Sequence, residues 1–425
     1  MRLSPRVLVV GTTPDYIDWL RNSRADEALF LTDPALRRRA REPAPAPEEE
    51  ILCELSDQSR MGRALRAHTE RYGQQVVGVA AYDCESMAPA ARLAAELGLP
   101  YPSRQAVRNC RDKHLSKTLW EAEGLSCPAS RLVRSPADAA RFAGELGRPC
   151  VLKPLRGSGS ELIFRCERPQ ACATAFETIA SGLRQRRAHR LYAAACPPDA
   201  PQILAEEWIA GEEFSCDFRV ENGRATLIRL TPKILSETGP FGTARGYLLA
   251  AAPPAAVGPD SLPQTLYRSA AALGLERAVC MLDFKVQEGR IVLLELSPRP
   301  GGDCLPFLLR RCWGLDILGG FLDFCAGRPV DFSPPAGARP CVGLRLHARC
   351  EGTIKRLDAR LLAQDPRVRE IHLARAPGEE VRMPPADYDS WLLGHVIFEP
   401  DPEPDPAVQC RRLTAKLVVE MVTPR

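Results

Sequence analysis

Histidine is scarce in this 425-residue chain, with six in all, and none stands beside a serine or cysteine in a way that marks a nucleophile and its base. Sixteen cysteines are present, but no two form a Cys-x-x-Cys pair, which speaks against a zinc site. Most sit singly in apolar surroundings, as at Cys150, Cys216 and Cys280, and are expected to be buried, reduced thiols. No apolar run approaches the roughly 18 residues of a membrane span, and no signal-like segment opens the chain, so a cytoplasmic protein without membrane contact is expected. Charge of one sign is also lacking. The formal net charge is +4, with acidic and basic residues interspersed, which argues against a nucleic-acid binder. The runs Arg37–Arg39 and Arg184–Arg187 are expected to be solvated helix faces.

What is present is material for a large core. A hydrophobic content of 45% over this length predicts two to four domains. Val7–Val10 and Gln75–Tyr82 are apolar runs without polar alternation, as expected of parallel strands covered on both faces. Ser59–Tyr72 and Met87–Leu97 are predicted as helices, the second stopped by Gly98 and followed by a short strand over Leu99–Tyr101. Asp83 and Glu85 lie just past the end of a strand, where α/β sheets bind ligands, though capping of the next helix accounts for them equally well. Further on, Arg111–Glu123 is predicted as a helix, and Ser135 caps another that runs to Gly147 with Pro136 at its first position.

The stretch Cys150-Val151-Leu152-Lys153-Pro154-Leu155-Arg156-Gly157-Ser158-Gly159-Ser160 organises the rest. An apolar strand delivers a lysine, and a loop of two glycines and two serines follows. Glycine has no Cβ to hold a ligand away, so the N–H groups of Gly157, Ser158, Gly159 and Ser160 can converge on phosphate oxygens while Lys153 supplies a point charge. Neither Gly-x-x-x-x-Gly-Lys-Ser/Thr nor Gly-x-Gly-x-x-Gly is matched, and a Gly/Ser loop alone is as readily a surface turn. Three further clusters bear on it. Arg111-Asp112-Lys113 places a second lysine forty residues upstream of Lys153. The segment 203–217 is a strand, a turn at Gly211 and a second strand, and carries Glu206, Glu207, Ile209 and Glu213. The segment 281–302 is an apolar hairpin turning at Glu288-Gly289, with Asp283 on one strand, Glu295 on the other, and Ser297-Pro298-Arg299-Pro300-Gly301-Gly302 after it. Paired carboxylate oxygens suit a hard divalent cation, and arginine complements phosphate oxygens.

These four clusters, in this order, resemble the ATP-grasp superfamily of ATP-dependent carboxylate–amine ligases. Glu96-Leu97-Gly98-Leu99-Pro100, Arg111-Asp112-Lys113 and Glu123-Gly124 look like the branch that holds L-amino-acid ligases, purine-pathway ligases and biotin carboxylase. The resemblance implies a multidomain α/β and α+β protein: an N-terminal α/β domain over 1–108, a small lid lobe over 109–205, a large lobe over 206–330 and a small C-terminal α+β domain over 331–425. It further implies ATP as the phosphoryl donor with Mg2+, or Mn2+ in its place. Lys113 and Lys153 match the phosphate lysines and Arg156–Ser160 the mobile lid. Glu206 matches the contact to the adenine amino group, the Glu207 and Ile209 backbones the adenine edge, and Glu213 the ribose. Asp283 and Glu295 match the metal carboxylates, and Arg299 the residue stabilising the transferring phosphoryl group. Ser297 stands where many members have asparagine, and Glu161-Leu162 where a glycine is common, so the second metal contact and the lid's freedom depart from the pattern.

The function implied is activation of a small-molecule carboxylate as an acyl phosphate and its transfer to an amine, releasing ADP and phosphate; a homodimer is left open. The loop Lys233–Gly246, with Lys233 and Arg245, reads either as a substrate wall or as a long hairpin connection. Two other readings stand beside the ligase: a non-catalytic ATP-binding sensor or scaffold, which Ser297 favours, and a bicarbonate-using carboxylase, which would need a separate carrier.

Overall fold

The computed structural model of the chain describes residues 3–192, 201–249, 257–258 and 261–422. The N-terminal part is a four-stranded, all-parallel sheet in the order Glu50–Leu52, Ala28–Thr32, Ser4–Val10, Gln74–Ala80. Val7–Val10 is fully buried because elements cover both faces: Leu8 and Val10 pack with Met61, Leu65 and Met87, and Val7 and Val9 with Ile17, Leu20 and Phe321. Met87–Leu97 is a helix ended by Gly98 in the left-handed region, as expected. The strand expected over Leu99–Tyr101 does not form. Pro100 and Pro102 flank Tyr101 and can donate no ladder hydrogen bond, so the segment is extended but unpaired.

A second four-stranded sheet is antiparallel, in the order Ser130–Val133, Ile203–Glu207, Cys150–Pro154, Phe164–Cys166. The helices Pro136–Leu146 and Pro169–Gln185 pack on it, burying Phe142, Phe176 and Ile179 against Cys150 and Leu152. Ser135 caps the first of these, its side chain accepting from the Asp138 N–H at 3.1 Å.

The largest sheet has eight strands, in the order Arg290–Ser297, Ala278–Gln287, Glu212–Glu221, Arg224–Leu235, Ala244–Leu249, Cys341–His347, Leu392–Phe398, Val368–Leu373. Strands from either side of residue 330 thus share one sheet, joined where Gly246 pairs with Leu344. Phe214 and Phe284 stack at 5.4 Å within its core, and burying each contributes about 1.5–3 kcal/mol. A three-stranded sheet, Glu380–Val381, Gly352–Asp358, Val418–Val422, lies alongside.

Two expectations about side chains are corrected. Cys312 and Cys341 form a disulfide, Cys350 is exposed and Cys127 half-buried, so the thiols are not uniformly buried and reduced; Cys341 begins a strand beside the helix Leu305–Trp313, which carries Cys312. The arginine runs are not simply solvated either. Arg37 pairs with Glu50 at 2.6 Å, and Arg186 donates to the Pro385 and Ala386 carbonyls at 2.8 Å. No helix among the described residues is long and apolar enough to cross a membrane.

Candidate active site

The strand Cys150–Pro154 carries Lys153 into a cavity of about 760 Å³ between the lid sheet and the large sheet. The helix expected over Arg111–Glu123 is two helices, Arg104–Arg111 and Lys113–Ala122, broken at Asp112, whose carboxylate caps the second by accepting from the Leu115 N–H at 2.9 Å. That break turns Lys113 into the same cavity. The Lys113 Nζ donates to the Gly157 carbonyl at 3.3 Å, as does Arg111 Nη1, so both cations reach the glycine loop.

Glu206 is buried between two lysines. Its carboxylate lies 2.5 Å from Lys153 Nζ and 3.0 Å from Lys117 Nζ. Burial alone would raise the Glu206 carboxyl, but Lys117 and Lys153 outweigh it and lower it, so the group is an anion. Glu207, Trp208 and Ile209 continue the wall. The Ile209 carbonyl accepts from Lys285 Nζ at 2.9 Å, the Glu207 N–H is used by the Ala129 carbonyl at 2.8 Å, and Arg165 lies 3.8 Å over the Trp208 ring. At the turn that follows, Gly211 has φ +106°, and a Cβ there would lie 2.1 Å from the Val286 carbonyl oxygen, so only glycine fits.

The hairpin Ala278–Gln287/Arg290–Ser297 sets Asp283 directly opposite Glu295. Asp283 accepts from Lys233 Nζ at 2.7 Å through one oxygen, and Lys233 also meets Glu213 at 2.8 Å. The other Asp283 oxygen, Oδ1, is buried without a hydrogen-bond partner. Glu295 lies 3.2 Å from Lys113; burial would raise its carboxyl, but Lys113, Lys153 and Arg111 hold it down at about 2. Among the described residues no group of three or more His, Cys, Asp or Glu side chains converges as a metal cage. Ser297 is buried on the same face of its strand as Glu295, but is not part of the cavity wall.

Arg299 reaches the cavity with its guanidinium against the Cys84 sulfur, 3.2 Å from Nη2, and the Pro300 carbonyl, 2.6 Å from Nη1. The Pro-Arg-Pro-Gly-Gly segment is held from below by a pair with no solvent exposure. Asp217 accepts from the Gly301 N–H at 2.9 Å and from Arg229 Nε at 2.8 Å, while Arg229 also donates to the Ser215 carbonyl and the Thr231 hydroxyl.

Gly157, Ser158, Gly159 and Ser160 all line the cavity. The loop is latched at its far end: Ser160 Oγ donates to the Gly242 carbonyl at 2.9 Å. Leu162, where glycine is common in the resembling family, does adopt φ +55°, with its side chain fully buried in the same apolar cluster as Cys150 and Leu152. That buried contact holds a conformation a leucine adopts only at a cost. The loop 233–246 is a hairpin connection and also a wall: Lys233, Leu235, Phe241 and Gly242 face the cavity, whereas Arg245 does not.

Sequence reasoning brought together Lys113, Lys153, the glycine loop, Glu206, Glu207, Ile209, Glu213, Asp283, Glu295 and Arg299, and the structure places all of them on this one cavity. It missed Lys117, Lys285, Arg345 with its partner Asp303 at 2.6 Å, and the Asp217–Arg229 support. Lys117 follows Lys113 by one helical turn, and that spacing was a usable signal.

The antiparallel four-stranded sheet and the large sheet form two lobes that face each other across this cavity, beside the parallel N-terminal sheet. Residues 146–306 match the model of the ATP-grasp domain. It is similar in structure to the L-amino acid ligase from Bacillus licheniformis, at a TM-score of 0.76 and 16% identity with both chains covered in full. In sequence it is 22% identical over 374 residues to protein y4rH of Sinorhizobium fredii, covering 86% of this chain and 72% of that protein. It is 29% identical over 203 residues to the D-alanine--D-alanine ligase of Verminephrobacter eiseniae, covering 45% of this chain and 55% of that enzyme.

Proposed function

We propose that this chain is an ATP-dependent ligase that activates a carboxylate as an acyl phosphate and joins it to an amine, with ADP and phosphate released. The observation that carries this reading is the convergence of Lys113, Lys153, Asp283, Glu295 and Arg299, drawn from four separated stretches, on one cavity. Phosphoryl transfer asks for positioning and charge neutralisation rather than a protein nucleophile. Lys113, Lys153 and the N–H groups of 157–160 hold the phosphates; Glu206 and the Glu207–Ile209 backbone hold the base, and Glu213 the ribose. A substrate carboxylate oxygen attacks the terminal phosphorus and ADP leaves. The amine nitrogen then attacks the acyl carbon, phosphate departs, and the nitrogen loses its proton. Arg299 stabilises the charge that gathers on the phosphoryl oxygens in both steps.

The donor set fits Mg2+ or Mn2+: two facing carboxylates, one with an unpartnered buried oxygen, suit a hard cation that takes its remaining oxygens from water and substrate phosphate. Asp283 and Glu295 would hold it; Ser297, two residues beyond Glu295 but outside the cavity wall, would reach it only through a water. When bound, the ion neutralises phosphate charge. Lys233 occupies part of that room and, with Asp283 and Glu213 outweighing its burial, stays protonated. Small-molecule carboxylates and amines, amino acids first, are the proposed substrates, and the cytoplasm the proposed location. ADP release on adding pooled amino acids tests the reading. ATP binding without any such release would favour the sensor, and release that needs bicarbonate alone would favour the carboxylase.

A further inference from the structure

A second cavity, of about 470 Å³, is built from three parts of the chain far apart in sequence: the 236–245 connection, the segment 345–349, and residues between 383 and 414. Such a volume is of the size that small-molecule sites use. Four arginines line it, Arg245, Arg345, Arg349 and Arg411, and no acidic side chain does. Arg345 is neutralised by Asp303 at 2.6 Å and Arg411 by Glu237 at 3.0 Å. Arg245 and Arg349 have no ion pair or hydrogen bond among the described residues. Between them the His347 ring lies 4.2 Å from Trp391, and its Nε2 is buried with no hydrogen-bond partner. Arg349 is exposed and Arg245 half-buried, so water can hydrate both guanidinium groups, but their like charges repel across the space, and the buried His347 Nε2 costs free energy until something pairs with it.

We propose that this cavity binds a compact, multivalent oxyanion, a phosphorylated or polycarboxylate small molecule, held by Arg245, Arg349, Arg411 and the His347 Nε2–H. Burial, with Arg345 and Arg245 beside it, holds the His347 ring down at about 3, so it is a neutral donor of a single N–H. The site is an effector site rather than part of the main cavity, and the two share a wall. Ser236, Thr238 and Gly239 of the loop face the second cavity, Phe241 and Gly242 face the first, and Gly242 is the residue that Ser160 of the glycine loop grips. Arg345 lines both. An occupant that fixes this loop therefore biases the lid, and nucleotide must bias the occupant to the same degree.

The test is calorimetric titration with inorganic pyrophosphate and, separately, citrate, without divalent metal. Both are compared across the unsubstituted chain, Lys153→Ala, and the double variant Arg245→Gln/Arg349→Gln. Binding is expected to survive Lys153→Ala and to weaken tenfold or more in the double variant; pyrophosphate alone would mark a phosphorylated ligand, both probes a ligand read by charge. Adding either probe to the unsubstituted chain should also shift the His347 ring resonances, a readout that does not depend on the variants folding. Binding that disappears with Lys153→Ala and persists in the double variant, or no binding at millimolar probe, would overturn the proposal.

Discussion

Replacing Lys153 with alanine tests the grip at its centre. In the structure the lysine is buried, 2.5 Å from Glu206, and it faces the glycine loop across the cavity. A charge-assisted contact to phosphate contributes about 1.5–3 kcal/mol, which corresponds to roughly ten- to 150-fold in affinity. The lower part of that range is expected here, because Lys153 must divide its three N–H groups between phosphate and Glu206. Folding should survive. Breaking a buried pair usually costs about 3–5 kcal/mol because an unpaired charge is left behind, but Glu206 keeps Lys117 at 3.0 Å. Calorimetry with ATP, alongside a melting curve, separates the two effects. Loss of ATP affinity by ten- to thirtyfold with a modestly lowered melting temperature is expected; unchanged affinity would refute the reasoning.

Arg299→Ala should lower turnover on the order of a hundredfold or more while leaving nucleotide affinity nearly intact, read as kcat against ATP dissociation constant, because its contacts matter most when charge develops. Asp217→Ala should cost about 3–5 kcal/mol in a urea unfolding series, since it strands Arg229 in the core without its partner and frees the Gly301 N–H. Stability should fall as pH rises from about 4 to 6, because burial, with Glu85 adding to it against the Ser86 and Arg190 contacts, raises the Asp83 carboxyl from 3.8 to about 6. The folded state then holds the proton more tightly than the unfolded chain, so Asp83→Asn should flatten that part of the pH–stability curve.

The hairpin 278–297 was legible because its signals are local: alternating apolar strands and a Glu288-Gly289 turn whose residues both take positive φ. Its register then brings Asp283 opposite Glu295 without further information. The glycine loop and Lys153 were legible for the same reason, being marked within a few residues, whereas Lys113 was singled out only through the family resemblance. Lys117 was not, since a lysine on a helix reads as solvated until Glu206, from another lobe, is placed beside it. The helix Pro14–Ser23 was overlooked although Pro14 at its first turn signals it. The strand expected at Leu99–Tyr101 failed because its prolines outweigh its apolar side chains. The second cavity lay beyond reach: Arg245, Arg349 and Arg411 meet only through the pairing of Ala244–Leu249 with Cys341–His347 and the docking of the helix Pro406–Thr414.

The central claim is that a carboxylate is phosphorylated in the main cavity, and trapping with hydroxylamine tests it most directly. With ATP, Mg2+ and a pool of amino acids, hydroxylamine should intercept the acyl phosphate. A hydroxamate should form in step with ADP, both dependent on the carboxylate and both lost in Arg299→Ala. ATP that binds yet yields neither hydroxamate nor carboxylate-dependent ADP with any carboxylate supplied would contradict the account and leave a nucleotide sensor in its place.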